Sequence, residues 1–168
     1  MSPQQVFVLD TNVFVEAAKR YYAFDIAPAF WDMLIAQAQN GHIVSIDRVK
    51  DELLRGKDDL AQWANGQFHS HFASTNHQAV LDAYRNIIQW AYNQPQFKEE
   101  AKADFARADN ADAWVVAYAR VKGYVVVTQE RYDPNIRRKI KIPNVCQAFG
   151  VPYVDTFEML RQLKITFR

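Results

Sequence analysis

The sequence predicts an α/β fold in which a central parallel sheet is flanked by helices, with a largely helical stretch inserted in the middle. Two observations predict it. Four short apolar runs, Val6–Leu9, His42–Ile46, Tyr124–Val127 and Val151–Val154, are mostly continuous rather than alternating, as strands covered on both faces are. Helical patterns separate them, which is the signature of repeated strand–helix units.

The elements follow in order. After the first strand, Asn12 can cap a helix over Val13–Lys19. Pro28 suits a first helical turn, and Asn40-Gly41 closes the helix Ala29–Gln39. Val49, Leu53 and Leu54 give an apolar face to a helix starting near Arg48. Asn76 can cap a helix that runs to about Tyr92 and is ended by Pro95. Asp109 or Asn110 can cap Ala111–Lys122, with Gly123 in the left-handed end position. Pro143 and Gly150 bracket a short helix, Asn144–Phe149, and Asp155-Thr156 can cap a last one, Phe157–Leu163. From about 58 to 107 there are helical patterns but no good strand, so this stretch reads as a helical insertion or cap on one domain spanning 1–168. Its aromatic residues, Trp63, Phe68, Phe72, Tyr84, Trp90 and Tyr92, read as core.

Composition narrows the class. A chain of 168 residues can bury a substantial core without staples. With a single cysteine, Cys146, there is no intrachain disulfide framework and no multi-cysteine zinc site. No apolar run approaches a membrane span, and MSPQQVFVLDTN has none of the regions of a signal peptide, so a cytoplasmic protein is expected. The net charge of +1 looks unpromising for a nucleic-acid partner. The total conceals a strip: Arg131, Arg137, Arg138, Lys139 and Lys141 stand against Asp133 alone, +4 over residues 131–141.

The carboxylates are the informative feature. Asp10 directly follows the first strand, Asp47 and Asp155 follow two others, and Glu130 comes three residues after Val127. Ligands of open α/β sheets bind at the carboxyl ends of strands. Acids gathered there repel one another unless protons or cations intervene, and hard oxygen ligands suit Mg²⁺ or Mn²⁺. Asp109 and Asp112, three apart, can face one way at the start of a helix whose remainder is apolar nearly all round, so that the helix is buried and carries its acidic end inward. Taken singly, each acid also suits a capping or solvated role, Asp47 and Asp155 above all. The ordered set carries the signal. His42, His69, His71 and His77 have no spacing that suggests a shared ligand.

That ordered set resembles the PIN-domain nucleases, including the VapC-type ribonuclease toxins of toxin–antitoxin modules. The matching segments are LDTNVFVEAAK after a strand, VKDELL, DNADAWVVAYA and YVVVTQE, spanning Val6 to about Glu130. The continuation TQERYDPNIRRKIKIPNVCQAFGV looks like a less-studied PIN-like branch. The resemblance implies a PIN-like three-layer fold with acids at the carboxyl edge of the sheet. It assigns the four acidic positions to Asp10, Glu52, Asp112 and Glu130. Asp109 and Asp133 are spare acids able to support or replace the fourth, Thr128 matches a hydroxyl position lining the site, and Asn12 would tie down the first acid's loop.

The implied activity is Mg²⁺- or Mn²⁺-dependent hydrolysis of RNA phosphodiesters. Asp10 and Asp112 would be the primary metal ligands, Glu52 a ligand through water or a general base, and Glu130 a holder of a second ion. Arg131, Arg137, Arg138, Lys139 and Lys141 would bind the RNA backbone, and Tyr132 would stack on a base. A cognate antitoxin is the implied partner, and a second copy of the chain another. Two other classes are consistent with parts of the sequence. One is a non-catalytic module that keeps the fold. The other is an aspartyl-phosphate phosphotransfer enzyme, against which Asn12 stands where a second Asp is needed.

Overall fold

The computed structural model describes residues 5–167. Its centre is a five-stranded, wholly parallel sheet with strand order β3-β2-β1-β4-β5. The strands are β1 (Phe7–Leu9), β2 (Ile43–Ile46), β3 (Phe72–Ala73), β4 (Val125–Val127) and β5 (Tyr153–Val154). Phe7, Val8 and Leu9 of β1 and Val125, Val126 and Val127 of β4 are all buried, which accounts for their continuous apolar runs. The edge strand β3 was not foreseen, because two residues paired only at Ser45–Phe72 and Ile46–Ala73 leave no periodic trace.

Around the sheet lie α1 (Thr11–Glu16), α2 (Pro28–Gln39), α3 (Asp47–Leu54), α4 (Asp59–Asn65), α5 (Gln78–Tyr92), α6 (Glu99–Phe105), α7 (Asp112–Lys122), α8 (Ile142–Phe149) and α9 (Thr156–Gln162). A π-helical turn, Ala17–Tyr21, continues α1. Two caps differ from expectation. The α1 cap is Asp10, whose Oδ1 accepts from Thr11 N at 2.7 Å, two residues earlier than Asn12. At α5 the cap position is His77, without a side-chain bond, while Asn76 N donates to Ser74 Oγ. Gly123 and Gly150 close α7 and α8 at φ 73° and 67°, a region open to glycine without a Cβ penalty.

Helix α7 is the central helix of the fold. Seven consecutive residues, Ala113 to Ala119, are buried, as an all-round apolar helix requires. Trp114 is sandwiched between the Tyr84 ring, stacked at 3.8 Å, and the Arg48 guanidinium, 4.2 Å from its centroid. Those contacts lock α7 to α5 and α3, and with them the position of Asp112 at its first turn. Trp63 and Phe68 are buried as expected, whereas Tyr92 is exposed. Among the described residues no helix is long and apolar enough to cross a membrane.

Candidate active site

The strand order reverses direction between β1 and β4, since the chain steps from β1 to β2 and β3 on one side and returns to β4 and β5 on the other. Such a switch point leaves a crevice at the carboxyl ends of the two strands. Asp10 ends β1 there and Thr128 ends β4. Asp10 N donates to Val127 O at 3.0 Å, so the first acid is fixed by the sheet's own ladder. Helix α7 leads into β4 and runs antiparallel to it, which brings its N-terminal Asp112 to the same edge. Helix α3 leaves β2 at that edge and carries Glu52.

A cleft of about 370 Å³ joins these residues: Asp10, Glu52, Asp112 and Glu130 all line it, with Thr11, Asn12, Asp104, Arg107, Asn110 and Lys139. The four acids assigned from sequence therefore share one cavity. Asp10 is 2% exposed, an extreme burial for a carboxyl. Its Oδ2 accepts from Thr128 Oγ1 at 3.1 Å and its Oδ1 from Thr11 N. Burial, and then the charges of Asp112 and Glu130, hold the Asp10 carboxyl well above the usual carboxylate range, against those two hydrogen bonds. Burial, followed by Glu130, pushes Asp112 up to about 7, with Lys139 opposing and Glu52 and Asp104 adding to it. Acids that are buried and close together are costly to ionise, and a bound cation would offset that cost.

Glu52 accepts from Thr11 Oγ1 at 2.5 Å and pairs with Arg55 at 3.7 Å. Glu130 is held at both oxygens: Oε2 lies 3.0 Å from Lys139 Nζ and Oε1 accepts from Ile142 N at 3.4 Å. Among the described residues, no three His, Cys, Asp or Glu side chains are gathered as a ready-made metal cage. The donor set nevertheless fits a hard divalent ion: all four groups are carboxylates, Asp10 is deeply buried, and no hydrogen bond or ion pair among the described residues reaches the Asp112 carboxylate.

The remaining candidates separate cleanly. Asp109 is exposed, bound by Arg107 at 2.9 Å and Arg55 at 3.6 Å, and does not line the cleft. The hydrogen bond from Arg107 holds its carboxyl below the usual range. Asp133 also lies outside the cleft; its Oδ1 accepts from Asn135 N. Asp47 ties β2 to the segment after β3 through Thr75, and Asp155 caps α9. Asn12 donates to Thr128 Oγ1 at 3.4 Å and accepts from Gln129 N at 3.0 Å, so it fastens the loop after β4, not its own. The helix α7 is capped from Asn110, whose Oδ1 accepts from Asp112 N. Of the basic strip, Lys139 alone points into the cleft; Arg131 lies on a neighbouring one. Sequence reasoning missed Thr11, Asp104, Arg107 and Asn110, whose cleft positions depend on packing between distant segments. Cys146 is buried, which pushes its thiol well up, with Asp10 and Glu130 adding to the effect, so it is not a reactive nucleophile.

The neighbouring cleft, about 620 Å³, shares Asn12 and Glu130 with the acidic one and is lined further by Tyr21, Thr128, Arg131, Tyr132, Tyr153 and Phe157. Tyr21, Tyr132 and Phe157 are exposed aromatics on it.

A wholly parallel five-stranded sheet with carboxylates converging at its switch point defines a PIN-like fold. Solved structures bear this out at the level of fold. VapBC2 from Rickettsia felis, bound to a DNA fragment from their promoter, aligns over 90% of this chain and 98% of that one, at 14% identity and TM-score 0.52. FitAcB from Neisseria gonorrhoeae aligns over 88% and 96%, at 19% identity and TM-score 0.53. FitAB bound to an IR36 DNA fragment aligns over 89% and 94%, at 18% identity and TM-score 0.54. The chain belongs to the family described as a domain of unknown function, DUF4411, which matches residues 7–167. No curated protein matches it.

Proposed function

We propose that this chain is a metal-dependent endoribonuclease forming a single PIN-like domain, and the toxin of a toxin–antitoxin pair. The observation that supports it is the convergence of Asp10, Glu52, Asp112 and Glu130 in one cleft at the switch point of the sheet, where burial first and then the neighbouring acids raise the carboxyls of Asp10 and Asp112. Asp10, Asp112, Glu52 and Glu130 would hold Mg²⁺ or Mn²⁺. A bound ion supplies an acidified water and a clamp for the phosphoryl oxygens.

The chain's own residues supply the rest. Thr128 and the Thr11 amide aim the Asp10 carboxylate by donating to both of its oxygens. Glu52, with Oε1 on the Thr11 hydroxyl and Oε2 3.7 Å from Arg55, is held at the cleft edge, where it would bind the ion through water or accept a proton from the attacking water. Arg131, Arg137, Arg138 and Lys141 lie in the segment beside the cleft and would hold the RNA backbone without reading its sequence. The partner is inferred from fold alone: the neighbouring structures are VapBC and FitAB complexes, so a small antitoxin protein is the expected companion.

The test is cleavage of end-labelled RNA by the purified chain with Mg²⁺ or Mn²⁺. Cleavage should vanish with a chelator and with Asp10→Asn, while Asp109→Asn retains it. A protein that binds neither ion and leaves every RNA intact would end the nuclease reading. Co-purification with the product of the adjacent gene tests the toxin role separately.

A further inference from the structure

We propose that Lys139 is a tethered cation of the acidic cleft, its ammonium occupying the place of a second metal ion, so that the site takes one divalent ion. The inference deepens the nuclease reading above and rests on it.

Three independent observations support it. The first is contact: Lys139 Nζ is 3.0 Å from Glu130 Oε2, with the Lys139 side chain 49% exposed and that of Glu130 only 11%. A charge-assisted bond to a largely buried carboxylate holds more firmly than a surface pair. Glu130 is also the acid to which a second ion would be assigned. The second observation is anchoring. The segment before Lys139 is fastened by Gln96, whose Nε2 donates to Pro134 O and Ile136 O, and by Lys98 N, which donates to Arg137 O at 2.9 Å. The segment after it is fastened by the buried side chains of Ile140 and Ile142. Lys139 therefore stands on a short bridge between fixed points. Among the described residues it is the sole member of the basic strip paired with an acid.

The third observation is charge balance. Glu52 is paired with Arg55, which it shares with Asp109. Asp10, Asp112 and Glu130 then carry three negative charges, which one divalent ion and one ammonium neutralise. Two divalent ions beside the ammonium would leave those three acids with a surplus of about two positive charges. The open position lies by Asp112, whose carboxylate is not hydrogen-bonded among the described residues, and Asp10, not by Glu130.

The experiment is metal stoichiometry on the full chain. Mn²⁺ binding is measured by calorimetry and by electron paramagnetic resonance, where two close ions give a spin-coupled signal and one gives an isolated six-line signal. Wild type and Lys139→Arg should each bind one Mn²⁺. Lys139→Met, whose fold is checked by circular dichroism, should bind two and show the coupled signal. Two ions in wild type, or one in Lys139→Met, overturns the role of Lys139 while leaving the nuclease reading intact. No Mn²⁺ on any of the three proteins overturns both.

Discussion

The Thr128 hydroxyl donates to Asp10 Oδ2 at 3.1 Å and accepts from Glu130 N at 3.2 Å, so that one side chain at the end of β4 joins two of the four acids. It also takes the Asn12 amide at 3.4 Å. Thr128→Val keeps the shape and removes every one of these bonds. Mn²⁺ affinity and cleavage are expected to fall about 10–100-fold, the range for groups that orient metal ligands, and Thr128→Ser should restore most of both. Unchanged metal affinity in the valine variant would show that the hydroxyl serves the fold alone.

The raised carboxyl of Asp112 gives a pH dependence with a definite sign. Its folded pKa of about 7 exceeds the ordinary carboxylate value, so the folded state binds the proton more tightly than the unfolded one. The resulting stability is fully present in acid and is lost as pH rises through about 7. Asp10 has the same sign. Metal-free protein should therefore be more stable at pH 5 than at pH 8. Asp112→Asn should remove much of that difference and stabilise the chelated protein at pH 8 by on the order of 2 kcal/mol. Denaturant titrations with a chelator at the two pH values check this; a variant no more stable than wild type at pH 8 contradicts it.

The basic segment predicts a salt signature. Replacing Arg137, Arg138 or Lys141 by Ala should weaken binding of every single-stranded RNA alike, and flatten the plot of log affinity against log salt by about 0.7 per charge removed. Lys139→Ala should not flatten it, because that ammonium faces Glu130. Fluorescence anisotropy over a salt series, with Ca²⁺ replacing Mg²⁺, separates the two behaviours.

Tyr132 lies on the aromatic cleft beside Glu130 and is 45% exposed. On the nuclease reading, a base leaving the acidic cleft would meet Tyr132, Tyr21 or Phe157. Tyr132→Ala should cost about 1–3 kcal/mol in binding single-stranded RNA, and far less for a duplex, whose bases are stacked already. Equal losses for the two substrates would rule out stacking.

Much of the fold was legible because its causes are local. The continuous apolar runs at Phe7–Leu9 and Val125–Val127, the apolar girdle of Trp114 to Ala119 and the glycines closing α7 and α8 are each written within a dozen residues. The strand β3 was not legible, since two residues become a strand only by pairing with β2. The cap of α1 was misplaced by two residues because Asp10, placed at the strand end, also accepts from Thr11 N.

By itself the sequence determined the layered α/β architecture and which acids sit at strand and helix ends, because backbone periodicity and capping act over short spans. The tertiary structure alone decided which acids meet. Spacing alone treats Asp109 and Asp112 alike, and only the resemblance prefers Asp112; in the fold Arg107 and Arg55 hold Asp109 at the surface while the burial of α7 carries Asp112 into the cleft. The same holds for Lys139, one of five basic residues in a strip, which meets Glu130 because Ile140 and Ile142 after it are buried and Glu130 lies within reach. Charge and burial at long sequence separation are settled by packing, and no local pattern encodes them.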